Sequence, residues 1–239
     1  MKSEVQKLKV KLLWYTPDPE LVCATAALTS SKVYSPSEIL QKLTKDKARK
    51  IVERIISFGH YSIIEHAYFT FSIEEVSRAM THQLVRHRMA SYIEQSQRYV
   101  KYGDFKHFIV PKTIAENEDT KKIYEIALTQ ISESYQKLLR LDVPTEDARY
   151  ILSNAAKTNI LVTMNARGLR HFFNLRCCAR AQWEIREVAI EMLRQVKQVA
   201  PGLFQNSGPF CVEFGYCREK ELKPQACIIG DMKREFAAL

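Results

Sequence analysis

No run of eighteen apolar residues occurs in this chain, so no membrane-spanning helix is expected. The opening Met1-Lys2-Ser3-Glu4 has no apolar signal core, which makes cytoplasm the expected location. No block of five or more like charges appears, so a nucleic-acid-binding tail is not indicated. Internal repeats, low-complexity tracts and a clear linker are all missing. The six cysteines, at 23, 177, 178, 211, 217 and 227, include no Cys-x-x-Cys spacing. Without an export signal, reduced thiols are expected rather than a disulfide framework. Cys211, Cys217 and Cys227 give a zinc site only a weak signal, since structural zinc normally takes four ligands at tighter spacing, and no metal is expected. Cys177 and Cys178 read as small apolar helix residues.

What is present is an ordinary globular balance, with 46% hydrophobic and 26% charged residues, which excludes a disordered chain. A length of 239 residues is enough for a sizeable core in a single compact domain spanning 1–239. The 36 basic residues exceed the 27 acidic ones, giving a net charge of +9. Such a surface favours anionic partners: nucleic acid, membrane or phosphorylated small molecules. Simple solubility explains it equally well.

Residues 5–15 alternate Leu8, Val10, Leu12 and Trp14 against lysines, the pattern of a half-buried strand. Helices are predicted over 19–29, after the capping box Ser35-Pro36-Ser37-Glu38, and over about 46–58. A strand follows at 66–74, with Phe69, Phe71 and Ile73 on one face. Residues 75–89 read as a helix carrying Gln83, Arg86 and His87. Residues 98–111 read as strand-like, 117–141 as a long helix, and a further helix starts at Pro144 with Thr145 as N-cap. From 165 to 199 the pattern is helical, and a cysteine-bearing tail begins at about 200. Helices dominate over a small, largely antiparallel sheet, so the expected class is α+β.

The densest chemistry lies in Arg86-His87-Arg88-Met89-Ala90-Ser91-Tyr92-Ile93-Glu94-Gln95-Ser96-Gln97-Arg98-Tyr99. Guanidinium forks match phosphate oxygens bidentately, and Ser hydroxyls and backbone N–H groups can complete such a site. Glu94, among these cations, suits a ribose hydroxyl or a base edge. On a helix, Arg86 and Arg88 would point to opposite sides, which suits a site shared between subunits. A second cluster runs from Asn165-Ala166-Arg167 through His171, Asn174-Leu175-Arg176 and Arg180 to Ala181-Gln182-Trp183-Glu184-Ile185. Arg167, His171 and Leu175 share one helical face. The plain structural reading is an amphipathic helix packed by Phe172, Phe173 and Trp183, with its arginines reaching to water. Between Gly59 and His66, Gly-His-Tyr-Ser-Ile-Ile-Glu-His reads on its own as a turn into a strand. A Ser such as Ser96 is a nucleophile only beside a base. None is evident, so Ser96 reads as a phosphate ligand, and covalent catalysis, by Ser or Cys, is not expected.

The first segment resembles the signature of the flavin-dependent thymidylate synthases: Arg-His-Arg, seven residues, then Ser, with Ala90, Ser91, Glu94 and Ser96 in the family's places and Ile93 where Asn is usual. The second cluster is similar to that family's Asn-x-Arg, Asn-Leu-Arg and Ala-Gln-Trp-Glu-Ile segments, with Arg180 where His is common. The Gly59–His66 segment looks like its Gly-His, hydroxyl, Glu-His stretch, with Ser62 for Thr, Glu65 as a nearby polar contact and His60 near the folate. The resemblance implies methylation of dUMP to dTMP, with methylenetetrahydrofolate as carbon donor, an FAD-borne hydride and NADPH as reductant. It implies dUMP contacts from Gln83, Arg86, Glu94, Gln95, Ser96, Arg98, Arg149 and Arg176, with Arg176 catalytic. It implies FAD contacts from Ser62, Arg86, His87, Arg88, Glu94, Asn165, Arg167 and His171. It also implies a homotetramer with shared active sites, and neither nucleic acid nor membrane as partner. Two rival readings are a basic nucleic-acid-binding module, suggested by Arg98-Tyr99 and Lys101-Tyr102, and an FAD-dependent oxidoreductase without folate chemistry.

Overall fold

The computed structural model describes residues 8–101 and 107–239. Four strands, β1 (Lys9–Tyr15), β2 (Tyr68–Ser77), β3 (Ala90–Glu94) and β4 (Lys157–Asn165), form one antiparallel sheet in the order β1-β2-β4-β3. The helices are α1 (Pro19–Thr29), α2 (Pro36–Lys42), α3 (Lys45–Ser57), α4 (Arg78–Leu84), α5 (Lys112–Ala115) and α6 (Glu118–Arg140). After them come α7 (Thr145–Ala148), α8 (Ala166–Arg176), α9 (Trp183–Val199), α10 (Pro201–Phe204), α11 (Phe210–Phe214) and α12 (Ile229–Ala237). The class is α+β, as expected.

The chain divides into two compact units. Of the described residues, one unit comprises 8–9, Ile73–Arg86, 93–101 and 107–160. Its core gathers Phe108, Leu128, Tyr135, Ala148 and Ala156, with Tyr124, Ile131 and Leu138 packed against them. The long helix α6 supplies most of this face. Asn117 starts it by accepting hydrogen bonds from the N–H groups of Asp119 and Thr120, which satisfies donors that a helix start leaves open.

The other unit comprises Val10–Ser72, His87–Tyr92 and Leu161–Leu239. Its core is aromatic. Phe69 meets Phe204 edge-on at 5.3 Å, and Phe173 meets the same ring at 6.0 Å. Helices α8 and α9 pack on each other, as do α1 and α3. The capping box of α2 forms as the sequence predicts: Ser35 and Glu38 exchange side-chain and backbone hydrogen bonds. Among the described residues, no helix is long and apolar enough to cross a membrane.

Several expectations are corrected. The helix over 75–89 shrinks to Arg78–Leu84, because Ser77 caps Met80 N–H and a turn follows at Val85. Arg86 and Arg88 therefore lie in a turn and the loop after it, and the opposite-sides argument from a helix does not hold. The signature continues as strand β3, which the sequence reading lacks. The strand over 98–111 is absent where described: Phe108 makes only an isolated bridge to Ala156. Residues 1–7 and 102–106, which include the start of the first predicted strand and Tyr102, lie outside the described residues. Thr145 is the first residue of a one-turn helix, and Pro144 holds the cap position. The helix over 165–199 is instead β4's last residue, α8, a turn, and α9.

β2 carries Phe69, Phe71 and Ile73 buried on one face, as the alternation predicts. The register then slips, and Val76 is buried next. The slip falls at Glu75, whose φ is 54° and whose N–H is held by the Asn159 side-chain oxygen at 2.8 Å. An extra residue of this kind is a β-bulge.

Candidate functional site

The sequence-predicted site residues fall into two clusters, one in each unit. In the unit holding α8, the side chain of Asn165 caps the helix by accepting from Gly168 N–H at 2.8 Å. Gly168 has no room for a side chain without contact: a Cβ there would sit 3.4 Å from both Asn165 Oδ1 and the Met89 carbonyl oxygen. The bare glycine lets the His87–Met89 loop lie against the start of α8. Arg167, His171 and Leu175 are exposed, as their shared spacing predicts, while Phe172 and Phe173 are buried. Arg167 pairs with Glu65 at 2.5 Å, whose neighbour Ser62 is exposed on the short helical turn Tyr61–His66.

Arg176, the last residue of α8, donates through Nε to His87 Nε2 at 3.0 Å. The His87 ring stands edge-on to Phe172 at 4.9 Å and 6.1 Å from the His171 ring. Tyr92 fixes the loop by donating to the His87 carbonyl at 2.8 Å. Burial, then the positive charge of Arg176 and then His171, push the His87 imidazole down to about 4. An uncharged ring is what a donor such as Arg176 requires. Burial also lowers the Arg176 pKa.

In the other unit, Gln83 on α4 donates back to the Ala79 carbonyl at 3.1 Å. Glu94, at the end of β3, is held by both oxygens: Thr81 donates to one at 2.7 Å and Arg78 pairs with the other at 3.0 Å. Arg78 also donates to the Gln95 carbonyl at 2.7 Å, and Gln95 N–H bonds the Asn159 carbonyl at 2.9 Å. Ser96 opens a turn: its hydroxyl accepts from Arg98 N–H at 3.1 Å, and its carbonyl accepts from Val100 N–H at 3.0 Å. The Arg98 guanidinium grips Glu146, with Nη2 at 2.7 Å and Nε at 2.8 Å. Arg149 Nε donates to the Glu146 carbonyl at 3.0 Å. Glu146 thus draws Arg98 and Arg149 together.

Arg78 and Thr81, which hold the Glu94 carboxylate, carry no mark in the sequence. Both sit on α4 and reach Glu94 on a later strand, so no local periodicity marks them. The Arg78 Nε is buried with no hydrogen-bond partner. Among the described residues, neither Arg86 nor Arg88 has a carboxylate at ion-pair distance, and both are exposed. Two uncommitted guanidinium groups in one short segment fit a ligand with phosphate charge. Burial raises the Cys23 pKa to about 12 and pushes that of Cys177 up as well, so neither is an activated thiol. A thiol becomes a nucleophile when its pKa is lowered.

Residues 11–202 match the family described as thymidylate synthase complementing protein. The chain is 49% identical over 213 residues to the flavin-dependent thymidylate synthase of Geobacter sulfurreducens, covering 89% of this chain and 91% of that one. It is 45% identical over 235 residues to the enzyme of that name from Clostridium tetani, covering 92% and 94%. With the one from Pyrococcus horikoshii the identity is 46% over 228 residues, covering 92% and 94%.

Proposed function

The chain belongs to the flavin-dependent thymidylate synthase family, and on that premise we propose that it methylates dUMP to dTMP with FAD as cofactor. Methylenetetrahydrofolate supplies the carbon and NADPH the reducing equivalents. The whole chain acts as one catalytic domain. The observation that carries the reading is the family signature with its guanidinium groups left open: Arg86 and Arg88 are exposed and free of carboxylate partners among the described residues.

Arg86, Ser96, Arg98 and Arg149, with Gln83, Glu94 and Gln95, hold the nucleotide. Arg98 exchanges its carboxylate partner Glu146 for phosphate, or shares itself between them. His87, Arg88, Asn165, Arg167 and His171, with Ser62, Arg86 and Glu94, hold FAD. When bound, the flavin carries the hydride that completes the methyl group. The protein's share is to position and polarise.

Uracil carbon 5 is a weak nucleophile until electron density is pushed into the ring. Arg176 supplies the positive charge that favours the uracil anion. Its Nε–H is committed to His87, which leaves the two Nη groups for the pyrimidine edge. Half-burial strips water from the guanidinium, so its charge acts with less screening. A homotetramer with shared sites completes the proposal; α6 leaves Ile123 and Ile126 exposed, apolar surface that a second subunit can cover.

The test is dTMP formation from dUMP, methylenetetrahydrofolate and NADPH, with each component and FAD omitted in turn. Flavin turnover without dTMP would instead make the protein an oxidoreductase without folate chemistry. A narrower prediction concerns Ser96. A hydrogen bond to a charged group contributes about 1.5–3 kcal/mol, so Ser96→Ala is expected to weaken dUMP binding by roughly ten- to a hundredfold while kcat at saturating dUMP survives. Nucleotide titration beside steady-state kinetics checks it. Abolished turnover with dUMP still bound would make Ser96 a nucleophile.

A further inference from the structure

The tail beyond α10 gathers cysteines that their linear spacing does not connect. Cys211 lies in α11. Gly215, with φ of 84°, ends that helix and donates its N–H to the Cys211 carbonyl at 3.2 Å. The chain turns back immediately, so Cys217 returns toward α11. This return is held by side chains: Tyr216 meets Phe210 edge-on at 5.0 Å, and the Arg218 guanidinium lies 3.5 Å from the Phe210 ring centre. Cys227 closes a turn on the Pro224 carbonyl at 2.9 Å, just before α12, and α12 packs on α11.

A fourth thiol comes from far upstream. Cys178 sits in the turn after α8, and α8 packs on α11. Arg180 in that turn is ion-paired with Glu219, which ties the Cys178 segment to the Cys217 segment. Cys178 lies within electrostatic reach of Cys217 and Cys227, and Cys211 within reach of the other three. Burial raises the pKa of the Cys178 thiol, and the Arg180 backbone N–H at its sulfur opposes that rise. All four thiols are free.

This tail also lacks the means to hold itself by burial. Among the described residues after Phe204, the apolar side chains at its core are Cys211, Met232 and Phe236, while Tyr216, Leu222 and Ile228 are well exposed. Its helices span five and nine residues, too short to persist without tertiary support. Small segments with thin cores are stapled by disulfides or metals.

We propose that Cys178, Cys211, Cys217 and Cys227 form a tetrathiolate site for one zinc-class divalent cation, which staples the tail to the turn after α8. Binding exchanges four S–H protons for four metal–sulfur bonds, giving a centre of net charge −2 with no change in oxidation state. Arg180, Arg218 and Lys233, which stands beside Gly215, supply nearby positive charge to offset it. Among the described residues, no three ligating side chains stand ready as a metal set, so the thiols close on the cation by rotation of their side chains. The fourth ligand is what the tail's own sequence lacks.

The experiment uses the full chain, purified without chelator, with metal content measured by mass spectrometry. About one zinc per chain is expected, retained in Cys23→Ala and lost in the double variant Cys217→Ser/Cys227→Ser. Should that double variant fail to fold, the unmodified protein still decides the matter. Titration with a mercurial should release one zinc as four thiols react, and Co2+ put in its place should give the intense visible bands of a tetrahedral thiolate complex. Negligible zinc with no Co2+ bands, zinc that survives in the double variant, disulfides among these four cysteines in the purified chain, or iron with inorganic sulfide in place of zinc would each overturn the site.

Discussion

Replacing Arg176 by lysine is expected to lower kcat for dTMP formation by about 10²–10³, the effect of losing one preorganised electrostatic donor, while the fold stays intact. Lysine keeps the charge but loses the planar fork. Arg176 uses one arm of that fork, Nε, to hold His87, and the proposal assigns the Nη arms to the pyrimidine. A single ammonium cannot serve both. Because the anion develops during attack on the carbon donor, the loss should fall on kcat more than on KM. Reduction of the flavin by the proposed reductant, NADPH, needs no uracil anion and should suffer less. Stopped-flow flavin reduction beside dTMP yield, with dUMP binding measured separately, separates the two steps. Near-normal dTMP turnover would remove Arg176 from the chemistry.

The largest effect on stability is expected at Glu213. Its carboxylate accepts from Arg170 and from Asn174, both at 2.7 Å, and from the Tyr61 hydroxyl at 3.3 Å. The Arg170 and Glu213 side chains are 6% and 5% exposed, so each charge depends on the other. Removing one member of a buried pair strands its partner and costs about 3–5 kcal/mol. Glu213→Ala should therefore lower Tm by roughly 6–20 °C in a chain of this size. Glu213→Gln keeps the shape and some hydrogen bonds, and should lose less. Thermal unfolding of the three proteins at one concentration checks the order. An unchanged Tm in the alanine variant would mean that water or another group meets the Arg170 charge.

The sequence announces the elements that carry strong local signals. The Ser35 capping box, the long amphipathic α6 and the alternating Phe69, Phe71 and Ile73 all appear where they are predicted. It hides elements whose definition comes from partners. β4 buries Thr158, Ile160, Val162 and Met164 in strict alternation, but the apolar Leu161 among them blurs the period. β3 has only five residues and exposes Ile93, so its apolar content points the wrong way. Phe108 and Ile109 look like strand residues but are buried, and Phe108 belongs to the core formed with α6. The break between α8 and α9 rests on Gln182, whose side chain caps Ile185 N–H, a weak capping signal in sequence. For the candidate site, the sequence offers a list of residues named by the resemblance. It does not offer their wiring: Arg78 and Thr81 on Glu94, and His87 under Arg176, are contacts that only folding makes.

The His87–Arg176 hydrogen bond sets an acid limit on this protein. His87 accepts only while its Nε2 lone pair is free, and a protonated ring would face Arg176 as one cation faces another. An unfolded histidine titrates near about 6.5, whereas this one is pushed down to about 4 in the fold. Between those values the unfolded chain binds more protons than the folded one. The stability tied to the neutral ring is therefore complete above the unfolded value and is lost as pH falls toward the folded value. Turnover should show an acid limb from the same event, since an imidazolium releases the guanidinium it now steadies. His87→Gln offers an acceptor that does not titrate, so its pH–rate profile and its Tm should be flatter across this window. A wild-type profile that keeps its slope in the variant would assign the limb to another group.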